Sequence, residues 1–118
     1  MNDGSEFCAV LTRPTGDVAV VTLSGELGFH TALEVRAALA RGIDEDTGCV
    51  VVDLTSVTFI DSTTLGVLVA AGKRLHLRDG SLLIVCGDDR IVRILEIVGL
   101  AGVFAVHATL DDALGVTV

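Results

Sequence analysis

The stretch Phe59-Ile60-Asp61-Ser62-Thr63-Thr64-Leu65-Gly66 sets four polar side chains, three of them hydroxyls, between a β-rich run and a helical one. Two kinds of chemistry suit it. One is an N-cap, in which Asp61 or Ser62 accepts a hydrogen bond from an orphan backbone N–H of the following helix. A cap needs one such residue, and here there are four. The other is phosphoryl acceptance. Backbone N–H groups and the positive end of a helix dipole converge there, so a phosphate on Ser62 is tolerated. It adds about −1.5 to −2 charges and three acceptor oxygens, enough to spoil a flat partner surface while the fold stands.

Other reactive residues offer less. His30, His76 and His107 fall on three different elements, with no metal-ligand spacing among themselves or with the cysteines, so no metal centre is expected. Gly25-Glu26-Leu27-Gly28 has too few glycines for a phosphate loop or a dinucleotide fingerprint. No serine sits in a Gly-x-Ser-x-Gly elbow, and a triad built on Ser62 has no support beyond what any chain of this length offers. No catalytic residue and no cofactor are expected. Cys8, Cys49 and Cys86 are odd in number, far apart and set in apolar runs. They read as buried reduced thiols, with a redox role as the alternative.

The elements that must position Ser62 follow from pattern. Phe7–Thr12 and Val18–Ser24 are β-rich and are separated by Arg13-Pro14-Thr15-Gly16-Asp17, which predicts an opening antiparallel hairpin. Thr31-Ala32-Leu33-Glu34 has the form of a capping box. It starts a helix to about Gly42 with Ala32, Val35, Leu39 and Ile43 on one face. The acidic loop 44–48 leads to Cys49–Leu54, a continuous apolar run typical of a strand covered on both sides. Thr55–Asp61 reads as a short connection and Thr63–Arg78 as a helix, closed by Gly80 at its C′ position. Leu82–Cys86 is a further strand, Asp88 caps a helix bearing Ile91, Leu95 and Val98, and Val103–His107 is the last strand. Thr109 opens a terminal helix. This alternation predicts one α/β domain over 7–118 behind a disordered tail, 1–6. Its sheet is mixed, mostly parallel, of four to five strands, with about four helices.

On the helix after Ser62, Leu65, Leu68, Val69, Gly72 and Leu75 make the inward stripe. The opposite side carries Gly66, Val67, Ala70, Arg74 and Leu77, where a merely solvated face would hold Glu, Lys or Gln. Gly66 and Gly72 each cost about 1 kcal/mol relative to Ala in a helix interior, which suggests close approach by something. A docking face beside Ser62 is one reading; a helix sandwiched between core layers is the other.

Composition narrows the partner. A net charge of −8 and an aromatic content of 3%, all Phe, argue against direct nucleic-acid binding, which needs cations and stacking platforms. The longest clean apolar stretch, Leu65–Gly72, is far too short to span a bilayer, and the polar N-terminus does not read as a signal peptide. Membrane insertion is not expected, and the cytoplasm is the expected location.

Val50 to Leu68, running through Asp61-Ser62, resembles the signature of anti-sigma factor antagonists, the bacterial single-domain STAS proteins. Leu23-Ser24-Gly25-Glu26-Leu27 is similar to that family's Gly-Glu-Leu-Asp loop. Arg93 to Leu100 is similar to its helix ending in a small-residue-Gly-Leu turn. The resemblance covers nearly the whole chain from Phe7. It implies a STAS-like fold and a partner switch with no catalysis of its own. An anti-sigma factor with ATP-dependent serine kinase activity would phosphorylate Ser62, with Thr63 as the secondary candidate. The unphosphorylated form would sequester that anti-sigma factor and release a sigma factor, and a serine phosphatase would restore it. The expected partner surface is Glu26, Asp61, Ser62, Thr63, Thr64, Gly66, Val67, Ala70 and Arg74, and a weak homodimer is a further expected association. Two positions depart from the family pattern: Gly28 stands where Asp is usual, and Thr64 where Gly is usual. These departures favour the alternative, a STAS-type scaffold or accessory subunit of a larger complex that works without phosphorylation.

Overall fold

The computed structural model describes residues 6–99 and 102–117. The element order is β1 Cys8–Thr15, β2 Val18–Leu27, α1 Ala32–Gly42, β3 Cys49–Ile60, α2 Ser62–His76, β4 Ser81–Val85, α3 Asp89–Gly99, β5 Ala105–His107 and α4 Leu110–Thr117. The strands form one sheet in the order β1-β2-β3-β4-β5. β1 is antiparallel to β2 and every other pair is parallel. Parallel neighbours need crossover connections, and α1, α2 and α3 supply them. The mixed, mostly parallel sheet with its opening hairpin and four helices agrees with the sequence pattern.

Period-two alternation sorts the strand residues onto two faces. Ala19, Val21, Val50, Val52, Leu82 and Ile84 pack against Val35 and Leu39 of α1, Leu68 and Leu75 of α2, and Ile91 and Leu95 of α3. Val18, Val20, Val51, Leu83 and Val85 face the other way, onto Ala113 of α4. Cover on both faces explains why β3 and β4 begin as unbroken apolar runs.

Several boundaries differ from expectation. Thr55–Ile60 is not a connection but the second half of β3, and β2 reaches Leu27 to pair with it. The β2–β3 register slips between Thr22 and Ser24 and again between Gly25 and Glu26. Each slip gives β3 one extra residue, as a β-bulge does. Burial in this half then falls on Val57 and Ile60, every third residue, so the period-two signal is lost after Leu54. Gly25, with φ 89 at the second slip, has the positive φ that glycine adopts without penalty.

At the other end of the sheet, Arg13 and Pro14 belong to β1 rather than to the turn. Pro14 is tolerated because β1 is an edge strand and its pairing is irregular between Thr12 and Thr15. α2 ends at His76, short of Arg78. The left-handed residue that follows is Asp79, φ 59, not Gly80. Gly80 is instead pressed close, because a Cβ there would meet the Gly48 carbonyl oxygen at 3.0 Å.

Cys49 and Cys86 are buried free thiols, and burial pushes the pKa of each up. Cys8 contradicts its expected burial, because it lies exposed on the edge strand. The expected tail 1–6, apart from Glu6, and Leu100 of the expected Gly-Leu turn lie outside the described residues. Among the described residues no helix is long and apolar enough to cross a membrane.

Candidate functional site

Ser62 is the first residue of α2, and Asp61 is its N-cap in extended conformation. The Asp61 carboxylate works at both oxygens. Oδ1 accepts the Thr64 N–H at 3.1 Å, satisfying one orphan donor of the helix start. Oδ2 accepts the Phe29 N–H at 3.0 Å, from the loop between β2 and α1. The Asp61 N–H donates to the Leu27 carbonyl at 3.1 Å. One residue therefore caps α2 and fastens the β2–α1 loop beside it.

That loop is closed by Thr31, though not as a capping box. Its hydroxyl accepts the Gly28 N–H at 3.1 Å and lies 3.2 Å from both the Glu26 and Gly28 carbonyl oxygens, either of which it can donate to. Its side chain makes no cap bond to α1. The loop has claimed the hydroxyl that the helix start would otherwise use.

The three hydroxyls after Asp61 divide. Ser62 and Thr63 are exposed. Thr64, expected at the partner surface, is 0% exposed, and among the described residues its Oγ1 has no hydrogen-bond partner. The physical reason is helical phase. Thr64 lies on one stripe with Leu68, Ala71, Gly72 and Leu75, while Leu65 and Val69, expected in that stripe, are only half-buried. Thr64 can influence Ser62 by packing and not by touching a partner. No acidic residue follows Asp61 in the first turn of α2, so the dipole's positive end is met by Asp61 alone.

Glu26 comes to the same edge. It is exposed near the end of β2 and pairs in register with Phe59, three residues before Ser62. Gly66, Ala70 and Arg74 are exposed along α2, with Val67 half-buried beside them. Arg74 is twelve residues past Ser62, about 18 Å along the helix axis. The expected surface therefore splits into a Ser62 end and a remote end. A Cβ on Gly66 meets nothing within 4 Å, whereas one on Gly72 would meet the Val103 carbonyl oxygen at 2.2 Å. Among the described residues, close approach from within the chain is found at Gly72 and not at Gly66.

Sequence reasoning passed over the apolar side chains at the Ser62 end. Phe29 is 79% exposed, Leu33 77% and Phe59 50%. Two of the four phenylalanines, Phe29 and Phe59, are exposed, which composition alone does not show. Single exposed residues of this size are common on surfaces; a contiguous apolar patch is what marks a contact site. Gly28 adds a further feature. A Cβ there would meet His30 Nδ1 at 3.1 Å and Asp61 Oδ2 at 3.3 Å, so the His30 ring occupies the space a side chain at 28 would take. His30 in turn meets the Phe29 ring edge-on, at 5.9 Å between centroids. Among the described residues no group of His, Cys, Asp and Glu is placed to hold a metal ion. The arrangement offers a surface hydroxyl on a rigid helix start, ringed by apolar and acidic side chains.

Residues 9–113 match the model of the STAS domain family. The chain is 35% identical to the anti-sigma-B factor antagonist of Listeria monocytogenes over 86 residues, 73% of this chain and 75% of that protein. It is 36% identical to the one from Staphylococcus aureus over 87 residues, 74% and 81% of the two chains. Among solved structures, an anti-sigma factor antagonist from Mycobacterium paratuberculosis superposes with a TM-score of 0.84 at 28% identity, covering 98% of this chain and 97% of that one. The Bacillus cell fate determinant SpoIIAA in its phosphorylated form shares the fold, with a TM-score of 0.74 at 20% identity over 94% of this chain and 100% of that one. With the Asp61-Ser62 helix start inside the matched region, this chain belongs to the STAS-domain family of anti-sigma factor antagonists.

Proposed function

We propose that the protein is a phosphorylation-controlled partner switch with Ser62 as the phosphoacceptor and no catalysis of its own. One observation carries the reading: Ser62 is an exposed hydroxyl on a helix start that Asp61 rigidly caps, at the end where Phe29, Leu33 and Phe59 are exposed. In the unphosphorylated form this surface binds an anti-sigma factor and thereby frees a sigma factor. The anti-sigma factor is also the serine kinase and brings the ATP site. Transfer forms a bond between Ser62 Oγ and the γ-phosphorus as the bond to ADP breaks, and the hydroxyl proton leaves to a base on the kinase. The product sets about two negative charges beside Asp61 and among apolar side chains. Helix dipole and free N–H groups keep that charge compatible with the fold, while a partner packed on Phe29 and Phe59 must leave it desolvated or depart. A serine phosphatase hydrolyses the ester and resets the switch. The cycle belongs in the cytoplasm, where ATP and the transcription machinery are.

Purified chain with its cognate kinase and ATP is expected to gain one phosphate on Ser62, with Thr63 as the second acceptor when Ser62 is replaced by Ala. Ser62→Asp is expected to lose the partner and Ser62→Ala to hold it permanently. Full affinity of the Asp variant refutes the mechanism. A second reading is favoured by Gly28, which leaves the loop facing Ser62 without a carboxylate, and by the buried Thr64. In it the protein is a scaffold or accessory subunit that never carries phosphate. A chain that binds its partner equally as Ser62→Ala, Ser62→Asp and wild type would favour that reading.

A further inference from the structure

Helices α1 and α2 run side by side over one face of the sheet, and each turns one stripe toward the groove between them. On α1 the stripe is Arg36, Leu39 and Ala40, continued by the C-cap residue Ile43; on α2 it is Val67, Ala70, Ala71 and Arg74. Both have the i, i+3, i+4, i+7 spacing of a single helical face. Since α1 and α2 each connect parallel strands, they point the same way. Arg36 therefore stands at the end shared with Val67, and Arg74 at the end shared with Ile43. The rest of the groove is apolar, and three of its residues are alanines too small to close it.

The charge is unusual for its setting. The chain carries −8 overall, yet no acidic residue lines this groove. Among the described residues neither Arg36 nor Arg74 has an ion-pair or hydrogen-bond partner; the ion pairs are Arg13–Asp44 and Arg90–Asp88. An apolar channel with an unpaired cation at each end, seven residues or about 10 Å apart along the axis, is complementary to one kind of ligand. We infer that the groove receives an amphipathic helix of the partner protein, its apolar face on the alanines and its carboxylates two turns apart opposite Arg36 and Arg74. This rests on the partner-binding reading above and adds to it the α1 half of the surface and the chemistry of the segment that docks.

The test uses the full nitrogen-15-labelled chain and a lactam-bridged helical peptide of about four turns. The peptide has leucines on one face and glutamates two turns apart, and its twin carries lysines in place of the glutamates. Amide shifts clustered in 36–43 and 67–74 are expected with the glutamate peptide. Affinity should fall about tenfold for the lysine twin and for Arg36→Glu/Arg74→Glu, as two rim ion pairs allow. Arg90→Glu/Arg93→Glu, an equal charge change on α3, should bind as the wild type does. Melting curves check that each variant is folded. Absence of binding, shifts elsewhere, equal affinity for the lysine twin, or equal loss in both double variants overturns the inference. Ser62→Asp is expected to keep peptide binding, so a failed phosphorylation switch and a failed groove are told apart.

Discussion

Phe29 is tied to Asp61 across 32 residues, its N–H donating to Oδ2 at 3.0 Å, while Oδ1 of the same carboxylate caps α2 through the Thr64 N–H. Helix start and loop are thus held by one side chain. Asp61→Ala is expected to lower stability by about 2 kcal/mol, a cap plus one charge-assisted hydrogen bond. Asp61→Asn, which keeps one acceptor oxygen, should lose roughly half of that. Chemical denaturation measures both, and amide exchange at Phe29 should quicken in each. Unchanged protection of the Phe29 amide in Asp61→Ala would show that the loop is held by Thr31 alone.

Gly66 and Gly72 look alike in the sequence and are expected to respond oppositely. Gly66→Ala meets open space and gains the helix propensity of Ala, about 1 kcal/mol. Gly72→Ala puts a Cβ 2.2 Å from the Val103 carbonyl oxygen, and backbone must move to admit it. A loss of about 3 kcal/mol is the scale of such overpacking. Thermal melts of the two variants should move in opposite directions. If Gly66→Ala is more stable yet binds its partner less well, the outer face of α2 is the contact surface.

How much of this could be read from residues alone differs between the two sides of the site. The Ser62 helix start was legible because Asp61-Ser62-Thr63-Thr64 breaks an apolar pattern and because caps are local chemistry. The approach to it was not. Two register slips convert a period of two into a period of three at Val57 and Ile60, and no local signal marks a slip that depends on the neighbouring strand. Thr31 misled for a related reason: its sequence context is a capping box, but Gly28 and Glu26 in the folded loop compete for its hydroxyl. Phe29 and Leu33 needed the fold to reveal that none of the described residues covers them.

Acid should weaken the end of the molecule opposite Ser62. Asp44 accepts the Thr47 hydroxyl at 2.8 Å and the Asp46 N–H at 2.9 Å, and pairs with Arg13 at 3.0 Å. Led by the Thr47 hydrogen bond, these hold its carboxyl below the ordinary value. A lowered pKa means that the folded state favours the ionised form. Its contribution is therefore present above the unfolded value, near 3.9, and is lost as pH falls through the lower folded one. Asp44→Asn should melt lower than wild type at neutral pH and lose less on acidification below about pH 4. Parallel melting-temperature profiles for the two proteins across that range would rule out a part for Asp44.

Thr64 sets a polar atom where the fold provides nothing for it. Its Oγ1 is buried without a hydrogen-bond partner among the described residues, and a hydroxyl left so costs about 1 to 3 kcal/mol. Thr64→Val keeps the shape and the β-branch while removing the unmet oxygen. It is expected to stabilise the protein by about 1 kcal/mol in denaturant titration. Thr64→Gly, which restores the residue usual in the family pattern, removes buried methyl contacts and adds the backbone entropy cost of glycine in a helix. It should destabilise by about 2 kcal/mol. The two variants also probe the switch: the side chain at 64 is fully buried, so any change in Ser62 phosphorylation rate must come through the shape of the first turn. Thr64→Val should then be phosphorylated as the wild type is, and Thr64→Gly, with its looser first turn, more slowly. A Val variant less stable than wild type would show that the hydroxyl has a partner, such as a bound water.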